Sequence, residues 1–167
     1  MHDELTQVDI QKMQEEIDYR TKTLRPQLIE EVKRTRAFGD LSENYEYKTA
    51  KQEKNRNESR IRYLTRMIAS AVVISADSDQ DTVGLFDRVE LYFPEDEETQ
   101  TIRLVTTLRQ NVLKGLISKE SPLGQAVLGH RAGETVTVTV NERYSYPVEI
   151  KHIEKGEDDE TLEISRY

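Results

Sequence analysis

The chain of 167 residues contains no cysteine. That excludes disulfides, thiolate nucleophiles and thiolate metal sites. Histidine is scarce: His2, His130 and His152 stand far apart, and no two have the spacing of a zinc site. There is no long apolar run and no signal-peptide core, so the expectation is a soluble, cytoplasmic protein without a membrane partner. No internal repeat is visible. What the chain has in quantity is charge: 34% of residues are Asp, Glu, Lys or Arg, against 35% in the apolar set. That balance is polar for one compact globule, but ordinary where helices bury only a stripe.

The charge is uneven. Residues 1–75 hold 14 Lys/Arg and 13 Asp/Glu, net +1, whereas residues 76–167 hold 10 and 19, net −9. Within residues 33–66 the count is 10 basic against 5 acidic. A uniformly acidic chain binds nucleic acid poorly, but this one is acidic only in its second half and can present positive potential locally.

Thr6 reads as a helix N-cap with Asp9 near the positive end of the helix. Ile10, Met13, Ile17, Leu24, Leu28 and Val32 then fall on one stripe. Pro26 predicts a kink or a local loss of hydrogen bonding. It does not reset the stripe, so one bent helix is expected, closed by Gly39. A second helix is expected from about Ser42, with Ser42 as its N-cap. Ala50, Asn57, Ile61, Leu64, Ile68 and Ala71 share one face, and Lys48, Lys51, Asn55, Arg62 and Arg66 the opposite one. Each arm of about 30 residues projects ~45 Å, and antiparallel packing is the natural arrangement.

Residues 83–155 read differently. Arg88–Phe93, Thr101–Thr106, Glu134–Val140 and Tyr146–Ile153 are short β-branched or aromatic runs between turn signals. Ser121-Pro122-Leu123 opens a short helix, with Ser121 as N-cap and Pro122 as first residue, ending at Gly129. The expected fold class is therefore α+β. A long antiparallel helical hairpin spans 1–75 with its tip at 39–47, a linker 76–82, a small antiparallel-sheet domain 83–155, and a flexible acidic tail 156–167.

The chemistry concentrates at the tip. Asp40 and Glu43 are three residues apart and can converge on one face of a turn. Two carboxylates are what Mg²⁺ takes from a protein, and such a pair binds weakly alone but completes a metal position in another molecule's site. The plainer reading is two acids beside a helix dipole. Glu46 reads as a solvated neighbour. The basic residues Lys48, Lys51, Lys54, Arg56, Arg60, Arg62 and Arg66 fit either a phosphate-tracking face or a solvated exterior with ion pairs such as Lys54–Glu58. Tyr45, Tyr47 and Phe38 fit base stacking or packing of the hairpin end.

Certain segments together resemble the bacterial Gre transcript-cleavage factors over residues ~6–153. They are Arg25-Pro26; Arg36-Ala37-Phe38-Gly39-Asp40-Leu41-Ser42-Glu43-Asn44 with Tyr47; Arg60-Ile61-Arg62-Tyr63-Leu64; and Ile117-Ser118 through Ser121-Pro122-Leu123 to Leu128-Gly129. The resemblance implies an N-terminal coiled coil and a C-terminal FKBP-like domain, in a monomer whose partner is RNA polymerase. The coiled coil enters the polymerase secondary channel. There Asp40 and Glu43 match the family's acidic pair, which shares a Mg²⁺ with the polymerase active site and positions water to cleave the backtracked nascent RNA 3′ end. No cofactor is expected on the isolated chain, and the factor is expected to activate the polymerase's cleavage rather than to be an enzyme. Arg36 and Lys51 match basic positions near the family's tip; with neighbouring Lys48 they are the expected RNA contacts. Ser121, Pro122 and Leu123 are the expected polymerase-docking residues. Tyr45 stands where the family usually has a small residue, and Asp9 where it usually has Gly. The alternatives are a Gre-like channel regulator or inhibitor that does not stimulate cleavage, and a structural or chaperone-like module.

Overall fold

In the computed structural model, residues 3–39 and 43–166 are described. Strand β1 (Glu4–Leu5) precedes helix α1 (Gln7–Tyr19). Thr6 caps α1 as expected, and reciprocally: the Asp9 amide donates to Thr6 Oγ1 at 3.3 Å while the Thr6 amide donates to Asp9 Oδ2 at 3.0 Å. Arg20–Leu24 is wound as a π-helix and leads into α2 (Arg25–Arg36). The cause is Pro26, which has no N–H and whose ring would meet the carbonyl four residues back. Widening the turn before it, with the Arg25 amide donating to Arg20 O, carries the helix past the proline without ending it. Helix α3 (Tyr45–Ser70) follows.

Strand β2 (Val72–Val73) pairs in parallel with β1. A five-stranded sheet then forms from β3 (Arg88–Phe93), β4 (Glu98–Val105), β5 (Leu116–Ser118), β6 (Thr135–Asn141) and β7 (Tyr144–Glu154), in the order β5-β4-β3-β7-β6. Its pairs are antiparallel except β4 with β5, which are parallel. Helix α4 (Pro122–Val127) is capped by Ser121 as expected, the Gly124 amide donating to Ser121 Oγ at 3.1 Å. The chain is thus mixed α+β, with helices first and the sheet after.

By contacts the chain divides into two compact units. One is Ile10–Ala71; the other is Asp3–Asp9 with Val72 onward. In the helical unit, Glu16 bonds Arg60, Arg20 bonds Asn57 and Thr35 bonds Asn44, so partner numbers fall along one arm as they rise along the other and the arms run antiparallel. The buried residues of α3 are Ala50, Asn57, Arg60 and Leu64. Arg60, expected on the solvated basic face, is buried. It grips Glu16 through two bonds of 2.7 and 3.2 Å. Glu58, expected to pair with Lys54, instead takes a two-pronged contact from Arg25 at 2.7 and 2.9 Å.

In the sheet unit, Val83, Val89, Leu91, Ile102, Leu104, Val127, Val136, Val138, Val148 and Ile150 form one apolar core. A second cluster of Leu85, Phe86, Val105 and Leu116 is joined by Ile74, Ala76 and Leu162. Residues 3–9 pack with this unit through Arg109, fully buried, whose Nε donates to Asp9 Oδ1 at 2.6 Å. In place of a free acidic tail, residues 156–166 are anchored. Asp158 lies 2.6 Å from Arg109 Nη1, Asp159 accepts from Arg103, and the Ser165 amide donates to Leu108 O at 2.6 Å. The tail's negative charge meets two arginines, which is why its composition did not leave it loose.

Candidate functional site

The tip segment is built by the end of α2 and the start of α3. Ala37 caps α2 through a bond to Lys33 O, and the Gly39 amide donates to Arg36 O at 3.0 Å. Gly39 has φ 106°, a backbone conformation that glycine adopts without a Cβ clash. Asn44, not Ser42, is the N-cap of α3: its Oδ1 accepts from the Tyr47 amide at 3.1 Å. Its Nδ2 also donates to Thr35 O at 3.0 Å and Gly39 O at 2.6 Å. Glu46 lies in the first turn of α3, where its charge favours the helix N-terminus.

Glu43 is exposed and lies immediately before this cap. Asp40, with Leu41 and Ser42, lies outside the described residues. Glu43 offers a solvent-facing carboxylate, the hard oxygen donor that Mg²⁺ accepts. Among the described residues no group of three or more His, Cys, Asp or Glu side chains converges as a metal cage. A cation held here would therefore need oxygen ligands beyond these residues.

Around the tip the aromatics face water. Phe38 is 59% and Tyr45 73% exposed, so neither packs the hairpin end as expected of loop aromatics. Each lies under a cation: Arg34 sits 5.5 Å from the Phe38 ring centroid and Lys48 5.5 Å from that of Tyr45. Arg34 also grips Glu31 at 2.7 and 3.0 Å, and this hydrogen bonding holds the Glu31 carboxyl below its ordinary value. Arg36, Lys48 and Lys51 are all exposed. Nearby, a shallow depression is lined by Glu31, Glu46 and Glu53 beside Arg34, Tyr45, Thr49 and Ala50. Three carboxylates against one guanidinium make it unsuited to phosphate.

The expected docking residues lie in the other unit and divide in role. Ser121 is engaged as the α4 cap and donates to Ser118 O at 2.6 Å. Leu123 packs against the apolar core, while Pro122 is exposed. Gly124 is fixed by close approach, since a Cβ there would lie 2.1 Å from Ser118 O.

No helix among the described residues is long and apolar enough to cross a membrane. Residues 4–73 match the family described as transcription elongation factor, N-terminal, and residues 77–155 the one described as transcription elongation factor, GreA/GreB, C-terminal. The transcription elongation factor GreA of Mesomycoplasma hyopneumoniae (strain 7448) is 38% identical over 84% of this chain and 88% of its own. That of Oenococcus oeni is 35% identical over 91% of this chain and 94% of its own. Among solved structures, the GreA factor homolog 1 (Gfh1) protein of Thermus thermophilus is 25% identical, covers 93% of this chain and 100% of its own, and superposes with a TM-score of 0.43. The chain belongs to the GreA/GreB family of transcription elongation factors.

Proposed function

We propose that the chain stimulates RNA polymerase to cleave backtracked RNA. The helical unit acts as an antiparallel coiled-coil hairpin that enters the secondary channel, while an FKBP-like sheet domain docks outside through Ser121, Pro122, Leu123 and neighbours. The observation that carries this reading is Glu43, an exposed carboxylate at the turn between two antiparallel helical arms. A carboxylate exposed at such a turn can supply oxygen to a site that lacks ligands.

Asp40 and Glu43 are the residues that would hold a Mg²⁺ shared with the polymerase. When bound, that ion would lower the pKa of a water and stabilise charge on the phosphodiester. The chain's own contributions are distinct. Glu43 orients water by accepting its hydrogen bond. Arg36, Lys48 and Lys51 meet RNA phosphates, and the hairpin delivers these groups without forming a complete site of its own. The factor is thus an activator, not an enzyme in isolation.

The test uses backtracked elongation complexes with polymerase from the same organism. Rapid Mg²⁺-dependent release of short 3′ fragments is expected, and Asp40→Ala or Glu43→Ala should reduce it on the order of a hundredfold or more while polymerase binding persists. A second reading, a channel regulator without cleavage stimulation, is favoured by one observation: Tyr45 projects 73% exposed, two residues from Glu43. Binding without cleavage by the unmutated protein would establish that reading instead. Failure to bind polymerase would sink both.

A further inference from the structure

One side chain touches both ends of the tip segment. Asn44 bonds on both sides of its amide: Oδ1 takes the Tyr47 amide, and Nδ2 gives to Thr35 O and Gly39 O. Gly39 immediately precedes Asp40 in sequence, and Asn44 immediately follows Glu43. The bond from Nδ2 to Gly39 O, at 2.6 Å, therefore ties the residue that follows Glu43 to the end of the first arm. The bond to Thr35 O ties the same amide to the last turn of α2, which is itself fixed because Thr35 is buried and its Oγ1 donates to Glu31 O at 2.9 Å.

We propose that Asn44 is the positioning residue for Glu43, and that its donor half, distinct from its helix-capping half, sets the maximal rate of stimulated cleavage. The proposal rests on the functional reading of Asp40 and Glu43 above. The physical ground is that a catalytic group misplaced by about 1 Å loses on the order of a hundredfold in rate. Directional contacts from a single amide fix the backbone at Asn44, and with it the residue immediately before, against the end of α2. Asn44 does not itself touch the reacting atoms.

The two halves can be separated by one isosteric change. Asn44→Asp keeps an oxygen to accept the Tyr47 amide at a helix N-terminus, where a negative charge is favourable. It replaces the donor with an oxygen facing two carbonyl oxygens. Asn44→Ala removes both halves. Each full-length variant is assayed with polymerase on backtracked complexes, and hydrogen exchange of the peptide spanning 39–47 is measured in the free protein. For Asn44→Asp the expected result is unchanged helix content and a half-saturating factor concentration within about twofold of the parent. Maximal cleavage should fall about tenfold or more, and exchange at the tip should rise about tenfold.

Cleavage at the parental maximal rate by Asn44→Asp, with loss confined to Asn44→Ala, would reduce Asn44 to a helix cap and overturn the proposal. Unaltered exchange at 39–47 in Asn44→Asp would overturn it equally. If the parent protein binds polymerase without stimulating cleavage, the functional reading fails instead. The rate claim falls with it, and the exchange measurement alone decides whether the clamp exists.

Discussion

At the buried positions of α3 stand Ala50, Asn57, Arg60 and Leu64, two of the four polar. In the sheet unit, ten apolar side chains from β3, β4, β6, β7, α4 and Val83 form a single cluster. The difference follows from shape. A pair of helices buries one narrow stripe from each arm, and little of that stripe is fully enclosed. What joins the arms is therefore a set of directional contacts: Glu16 with Arg60, Arg20 with Asn57 and Arg25 with Glu58. Such contacts fix register better than they add stability, since ions removed from water recover little net energy. The sheet unit has the reverse arrangement, an apolar core with one enclosed guanidinium. Under the proposed function, in which the tip must reach a fixed point, register in the arms is the more useful property.

The sharpest way to break this contrast is to disturb the same chemistry in both places. Arg109 and Asp9 are each 0% exposed, with Asp158 and the Asp159 carbonyl completing the cation's partners. Arg109→Met keeps the volume and strands the carboxylates, so a loss of about 3–5 kcal/mol is expected in denaturant unfolding of the sheet unit. The anchor of residues 3–9 and 156–166 should loosen with it, read as faster hydrogen exchange in both segments. A loss below about 1 kcal/mol would show that the cluster is ornamental and that the apolar core alone holds the unit.

A smaller effect is expected from the matching change in the arms. Glu16 is 22% exposed where it meets Arg60, so water shares in the pair. Glu16→Gln should cost about 1–2 kcal/mol, discounted for that access. Replacing both partners, as in Glu16→Leu with Arg60→Met, should come out near neutral or stabilising in the same melt. If the arm contacts set register, the double variant also stimulates polymerase to cleave backtracked RNA more slowly at saturating concentration despite its stability. A double variant with parental cleavage would remove the register argument.

The elements legible in the sequence were those with a local cause. The β-branched run Glu134–Val140 predicted β6, and Ser121-Pro122 predicted the start of α4. Thr6 with Asp9 predicted the first cap, and Pro26 a disturbance in the first arm. What escaped had a distant cause or too short a run. Arg109 and Asp9 are 100 residues apart, β1 and β2 are two residues each, and β5 is three. Arg60 was misjudged because polarity reads as exposure until the cross-arm partner is known, whereas Asn57, placed on the seam with Ala50 and Leu64, is buried there. Of the site, the sequence motif marked Asp40 and Glu43, but not the amide that ties Gly39 to Asn44, because a cap at Ser42 satisfied the same local rules.

Acid separates the units most gently. In the arms, burial alone would raise Glu16, but hydrogen bonds from Arg60 and Arg20 outweigh it and leave the group below its ordinary value of 4.5. Glu58 and Glu31 are held below the same value by hydrogen bonds from Arg25 and Arg34. A carboxyl depressed on folding stabilises the fold fully above its unfolded value, and that contribution fades as the pH falls through the folded one. The arms should therefore lose thermal stability progressively below pH 4.5, with Glu16 the main contributor because it is the most enclosed of the three. The sheet unit has its own depressed carboxyls, Glu134 bonded by His130 and Asp159 bonded by Thr161 and Arg103, but both are at the surface and its apolar core does not titrate. Helix-specific hydrogen exchange should accordingly rise at a higher pH than sheet exchange during acidification. Glu16→Gln should flatten the pH dependence of the arms and leave that of the sheet unchanged. Equal slopes in parent and variant would mean that the Glu16–Arg60 contact is too well solvated to couple to folding, and the polar seam would then be fixing geometry alone.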